Sequence, residues 1–117
     1  MAKVLITGFE PFAGETLNPS WQVASALHGW QLDNEVTVHA VKLPCVFKQS
    51  LLTLEQAVNQ LQPVVVIMLG LAAGCSQLML EKIASNFIDA AIADNAGQQP
   101  RNSLTASHGP AAHFSNL

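Results

Sequence analysis

Eight residues constrain the rest of this chain: Pro63-Val64-Val65-Val66-Ile67-Met68-Leu69-Gly70. Everything between the proline and the glycine is apolar, and β-branched side chains fill the first half. A short, continuous apolar run between Pro and Gly predicts a strand buried on both faces. Such strands occupy the middle of a parallel sheet, with helices over both sides. Ligands of open parallel sheets collect beyond the carboxyl ends of the strands. The residues after Gly70 are therefore the first place to look for chemistry: Leu71-Ala72-Ala73-Gly74-Cys75-Ser76, then Glu81 in an otherwise apolar segment.

The preceding residues supply the partners of that strand. Lys3 to Thr7 predicts a first strand, ended by Gly8. The loop from Gly8 to Gly14 carries Phe9 and Phe12, and aromatics in a loop need either a core to cap or a ligand to cover. Asn18-Pro19-Ser20 is a helix start, with Asn as N-cap and Pro at the first helical position. Val36 to Leu43 alternates as a second strand, on which His39 is read as a packed or surface residue. Phe47, Leu51, Leu54, Val58 and Leu61 recur at steps of 4, 3, 4 and 3. That spacing predicts an amphipathic helix, ended by Pro63. Strand, helix, strand, helix, strand is the pattern of a parallel α/β sheet.

Leu78 to Ile88 admits a helix or a strand, and the strand is preferred. On a strand, Met79, Glu81 and Ile83 share one partly buried face, where a carboxylate needs a partner. Beyond it Asp94-Asn95-Ala96-Gly97 reads as a turn. Residues 98 to 108 read as a polar loop, and residues 109 to 117 regain apolar character.

Charge excludes some functions. The net charge is −3, and the five Lys and Arg residues never cluster, which argues against a nucleic-acid partner. Only 11% of residues are charged while 50% are hydrophobic, so extensive contact with another chain or segment is expected. The apolar run is too short to span a bilayer. Two cysteines and a start without a leader-like stretch predict reduced thiols in a single cytoplasmic domain over residues 1–117.

Cys75, in a glycine-containing loop after the apolar strand, is one place for a nucleophile, given a His within reach. Histidines at 28, 39, 108 and 113 are too scattered to define a metal site, and none is predicted. The loop from Gly8 to Gly14 lacks the phosphate-binding glycine patterns. No cofactor is expected.

Several stretches, in order, resemble the amino-terminal half of pyroglutamyl peptidase I, also called pyrrolidone-carboxylate peptidase. They are Val-Leu-Ile-Thr-Gly-Phe-Glu-Pro-Phe (4–12), Asn-Pro-Ser (18–20), Leu-Pro-Cys-Val-Phe (43–47), Leu-Glu-Lys-Ile-Ala-Ser-Asn (80–86), Ile-Asp-Ala-Ala-Ile-Ala-Asp-Asn (88–95) and Gly-Pro-Ala-Ala-His-Phe-Ser (109–115). The resemblance implies a three-layer α/β/α sandwich with a mainly parallel sheet. It implies a cytosolic cysteine peptidase, commonly oligomeric, that removes pyroglutamate from peptide amino termini with a Cys-His-Glu triad. It assigns Glu81 to the triad, as the group that orients the imidazole. Phe9 and Phe12 would pack on the lactam ring, with Ile92 near the same pocket.

The chain also departs from the family. The nucleophilic Cys and catalytic His belong to a carboxyl-terminal half outside these residues, so a truncated or divergent form is expected. Its alternative is a non-catalytic module that binds itself or another chain. Cys75 and Ala91 stand at usual Arg positions, Ala93 at a usual Pro, Ala13 at a usual Gly, and Leu71 where Gln is frequent.

Overall fold

The computed structural model describes residues 1–116, so the last residue of the apolar 109–117 stretch lies outside it. The described residues form two compact units. The first holds 1–71 together with 94–96, and the second holds 72–93 and the residues from Gly97 onward.

The first unit is an α/β fold. Its elements are β1 (Ala2–Phe9), α1 (Pro19–Leu27), β2 (Gln31–Leu32), β3 (Val36–Leu43), α2 (Gln49–Leu61) and β4 (Val65–Met68). The sheet order is β2-β3-β1-β4. β1 pairs in parallel with both β3 and β4, and only the two-residue β2 runs antiparallel. The predicted strands and helices are all present.

One expectation is corrected. The central strand is β1, not the apolar run, because β4 pairs with β1 alone and forms an edge among the described residues. Leu5 and Thr7 of β1 are 0% exposed, whereas Met68 of β4 is 64% exposed. An unbroken apolar run reports that both faces of a strand are meant to be covered; it carries no information on how many strands lie beside it.

Side-chain alternation along β1 divides the core. Ile6 packs with Val38 of β3 and Ala24 of α1, ringed by Val4, Trp21, Ala40, Ile67 and Leu69. Leu5 and Thr7 point to the other face, which leaves α2 and its buried Ala57 to cover them. The layers are therefore helix, sheet, helix.

α1 starts as its sequence requires. The Asn18 carboxamide oxygen accepts the Ser20 N–H at 3.0 Å and the Ser20 hydroxyl at 2.7 Å. Pro19 occupies the first turn, where a missing N–H costs nothing. His39 packs edge-on against His28, with ring centroids 6.0 Å apart.

The second unit contains a small antiparallel pair, β5 (Ile83–Ser85) with β6 (Ala112–Phe114). The predicted strand over Leu78 to Ile88 is thus realised only at 83–85. Leu78 and Leu80 are fully exposed, and residues 78–82 around Glu81 form no strand. Asn86 ties the following loop: its Nδ2 donates to the Ala106 carbonyl at 2.8 Å, and its Oδ1 accepts the Ala106 N–H at 2.7 Å. Among the described residues no helix is long and apolar enough to cross a membrane.

Candidate functional site

The carboxyl ends of β1 and β3 carry the most elaborate polar network of the first unit. It begins where α1 meets β1. The Ser20 hydroxyl accepts the Phe9 N–H at 2.9 Å, and the Asn18 Nδ2 donates to the Glu10 carbonyl at 3.2 Å. The helix cap and the end of the strand are therefore one hydrogen-bonded unit. Phe9 closes β1, Phe12 lies in the loop behind it, and both are half-buried.

Glu10 is the hub of this end. Its Oε1 accepts the Cys45 N–H at 2.9 Å and the Asn95 Nδ2 at 3.0 Å. The same Asn95 Nδ2 donates to the Pro11 carbonyl at 2.9 Å, and the Asn95 N–H donates to the Cys45 carbonyl at 3.0 Å. Asp94 accepts the Phe47 N–H at 2.8 Å through Oδ2 and the Ala96 N–H at 2.8 Å through Oδ1. The predicted turn at Asp94 is present and doubles as a clasp on the loop after β3.

This setting biases Cys45 toward its protonated form. Burial pushes its thiol pKa up, and the nearby Glu10 and Asp94 carboxylates push it further in the same direction. A thiol held protonated is a poor nucleophile. Cys75 lies in the second unit, exposed, its Sγ 3.2 Å from the Gln77 carbonyl oxygen. Neither thiol hydrogen-bonds a histidine among the described residues.

Phe9 and Phe12 belong to the first unit, Glu81 and Ile92 to the second, and each pair is placed only within its own unit. The partly buried face expected for Glu81 is absent. Its side chain is exposed and makes no hydrogen bond or ion pair among the described residues. The reason is local: without a strand through 78–82, no sheet face exists to bury it. Ile92 is 56% exposed. In the same unit Asp89 accepts the Arg101 Nε at 2.6 Å, an ion pair at the surface.

Sequence reasoning missed Glu10 and Asn95. Both lie inside stretches that carry the family resemblance, but hydrogen bonds 35 and 85 residues apart leave no periodic signal. Among the described residues no cluster of three or more His, Cys, Asp or Glu is placed to hold a metal ion.

A mainly parallel sheet with helices on both faces and a braced loop beyond β1 defines an α/β protein with its candidate site at the strands' carboxyl ends. Residues 2–117 match the family model described as pyroglutamyl peptidase, and the chain belongs to that family. It is 48% identical over 117 residues to the pyrrolidone-carboxylate peptidase of Enterobacter sp. (strain 638), covering 100% of this chain and 54% of that one. Identity to the Cupriavidus pinatubonensis protein of the same name is 44%, with the same coverage. Among solved structures, pyroglutamyl peptidase I of Bacillus amyloliquefaciens superposes with a TM-score of 0.95 at 39% identity, covering 100% of this chain and 56% of that chain. A mutant pyrrolidone carboxyl peptidase from Pyrococcus furiosus gives a TM-score of 0.95 at 40% identity, covering 98% and 55%. The chain spans about half the length of the curated relatives it matches.

Proposed function

We propose that this chain supplies the pocket loop and the triad carboxylate of a pyroglutamyl-peptidase I-type cysteine exopeptidase. In that reaction a thiolate adds to the pyroglutamyl carbonyl carbon. The C–N bond breaks, and an imidazolium gives its proton to the leaving amine. Water then adds to the acyl-enzyme, the imidazole takes its proton, and the C–S bond breaks to release pyroglutamate. Phe9 and Phe12 pack on the lactam ring with Ile92 nearby, and Glu81 orients the imidazole. The substrates are peptides with amino-terminal pyroglutamate, the compartment is the cytosol, and the assembly is a homo-oligomer. Neither Cys45 nor Cys75 is the nucleophile, so these 117 residues alone do not complete the triad.

The observation that carries this reading is a family match running through every segment that bears a proposed site residue, from 2 to 117. The protonated setting of Cys45 supports the view that the thiolate comes from elsewhere. Two measurements test the proposal. NMR titration with a pyroglutamyl-alanine amide should shift Phe9 and Phe12 saturably, and N-acetyl-alanine amide should not. A chromogenic pyroglutamyl anilide should release no amine. Release that disappears in Glu81→Gln would overturn the incomplete-triad account.

A second reading, a non-catalytic module that binds itself or another chain, is favoured by exposed apolar surface. Leu78 and Leu80 are fully exposed, and the outer edge of β4 pairs with no strand among the described residues. Sedimentation at several concentrations tests it; a monomer throughout, with cooperative unfolding, counts against it.

A further inference from the structure

The loop between β1 and α1 has little of its own to hold it. It contains Pro11, adopts positive φ at Ala13 and Gly14, and forms no regular element over 10–18. Its own bonds are the Glu15 N–H to the Phe12 carbonyl at 3.1 Å and the Asn18 Nδ2 to the Glu10 carbonyl at 3.2 Å, and further ties come from other segments. The Glu10 N–H donates to the Leu43 carbonyl at 3.0 Å, extending the β1–β3 pairing by one residue. Beyond that point the Glu10 carboxylate reaches both the loop after β3, at Cys45, and the 94–96 turn, at Asn95. Asn95 completes the tie by donating to the Pro11 carbonyl. Phe9 and Phe12 flank this knot in sequence.

We propose that Glu10, acting with Asn95, is a positioning residue that sets the spacing and tilt of the Phe9 and Phe12 rings for a flat, uncharged five-membered lactam. The proposal rests on the pocket role given to Phe9 and Phe12 under the proposed function. Both hydrogen bonds to Glu10 end on one oxygen, Oε1, and both donors are neutral groups. An amide carbonyl oxygen in the same place accepts the same two bonds, more weakly than a carboxylate but in the same geometry, so the task is chiefly geometric. Removing the acceptor leaves the Cys45 N–H without its partner and the Asn95 amide with the Pro11 carbonyl alone, so the loop loses its side-chain tie to the segment after β3 and one of its two ties to the 94–96 turn.

The test is affinity for a pyroglutamyl-alanine amide, measured by NMR on the full chain and on Glu10→Ala, Glu10→Gln and Asn95→Ala. Glu10→Ala should weaken binding at least about tenfold, the equivalent of roughly 1.4 kcal/mol. Glu10→Gln should stay within about twofold of the parent, a change well under 1 kcal/mol. Asn95→Ala should fall on the weak side. Two results would overturn the proposal: Glu10→Ala binding like the parent, or Glu10→Gln binding as weakly as Glu10→Ala, which would make the charge itself the requirement. Should Glu10→Ala lose its cooperative melt, Asn95→Ala decides, and parent-like affinity there overturns the proposal. Absence of binding by the parent chain removes the pocket reading and this proposal together. Parent binding that Glu10→Ala leaves intact removes only the proposal.

Discussion

A Cβ added at Gly8 would stand 2.5 Å from the Ser20 carbonyl oxygen and 2.6 Å from the Trp21 Cα. The first turn of α1 lies directly on the end of β1, and only a residue without a side chain fits between them. The obstructing atoms are backbone, so they cannot turn aside. Gly8→Ala should cost about 1–3 kcal/mol through overpacking and disturb the Phe9 N–H bond to Ser20. A urea midpoint equal to that of the parent would show that α1 is not seated on β1 this closely.

Thr7, the next residue back, is 0% exposed, and its hydroxyl finds no partner among the described residues. A buried hydroxyl without a partner carries its full desolvation cost, about 1–3 kcal/mol. Valine has nearly the same shape and no such cost. Thr7→Val should therefore raise stability by about 1 kcal/mol, read as a higher urea midpoint at unchanged slope. Destabilisation would mean that the hydroxyl is satisfied after all.

The longer elements of the first unit were legible because each rests on a local signal. Asn18-Pro19-Ser20 marks a helix start wherever it occurs, and the steps from Phe47 to Leu61 describe one helical face. Sheet order was not legible, because Val65 to Met68 would read the same at the centre or at the edge. The two-residue β2 was too short to leave an alternation, its strand character coming only from pairing with Val36 and Thr37. The second unit yielded least. The 78–80 run is apolar yet exposed, so the rule that apolar runs are buried failed there and took the expected face of Glu81 with it. The Glu10 knot was hidden for another reason: it is made by single side chains bonding backbone groups far away in sequence.

Ala13 sits at φ 55°, in the left-handed region that favours glycine. The family resemblance leads one to expect a Gly at this position. A non-glycine residue there pays a steric penalty on the order of 1 kcal/mol. The substitution Ala13→Gly removes that strain but loosens the unfolded chain, an opposing effect of about 0.4–1 kcal/mol. The net should be a small gain, up to about 0.5 kcal/mol, with no change in the slope of urea unfolding. A loss of more than about 1 kcal/mol would mean that the loop does not hold this conformation.

Cys45 and Cys75 should separate cleanly on alkylation. The thiolate is the reacting form, and Cys45 is held back from it by burial first and by Glu10 and Asp94 second. Cys75 is exposed. At pH 8, brief treatment with iodoacetamide should give a singly modified protein, with the label at Cys75 by peptide mass spectrometry. Cys45 should react more slowly by a factor on the order of ten or more, given its smaller thiolate fraction and restricted access. Because the shift is upward, Cys45 should speed up only as the pH rises beyond the ordinary thiol range. Adding denaturant should bring the two rates together. Equal rates in the native protein would show that the loop after β3 is open at Cys45, and that the Glu10 carboxylate does not lie beside it.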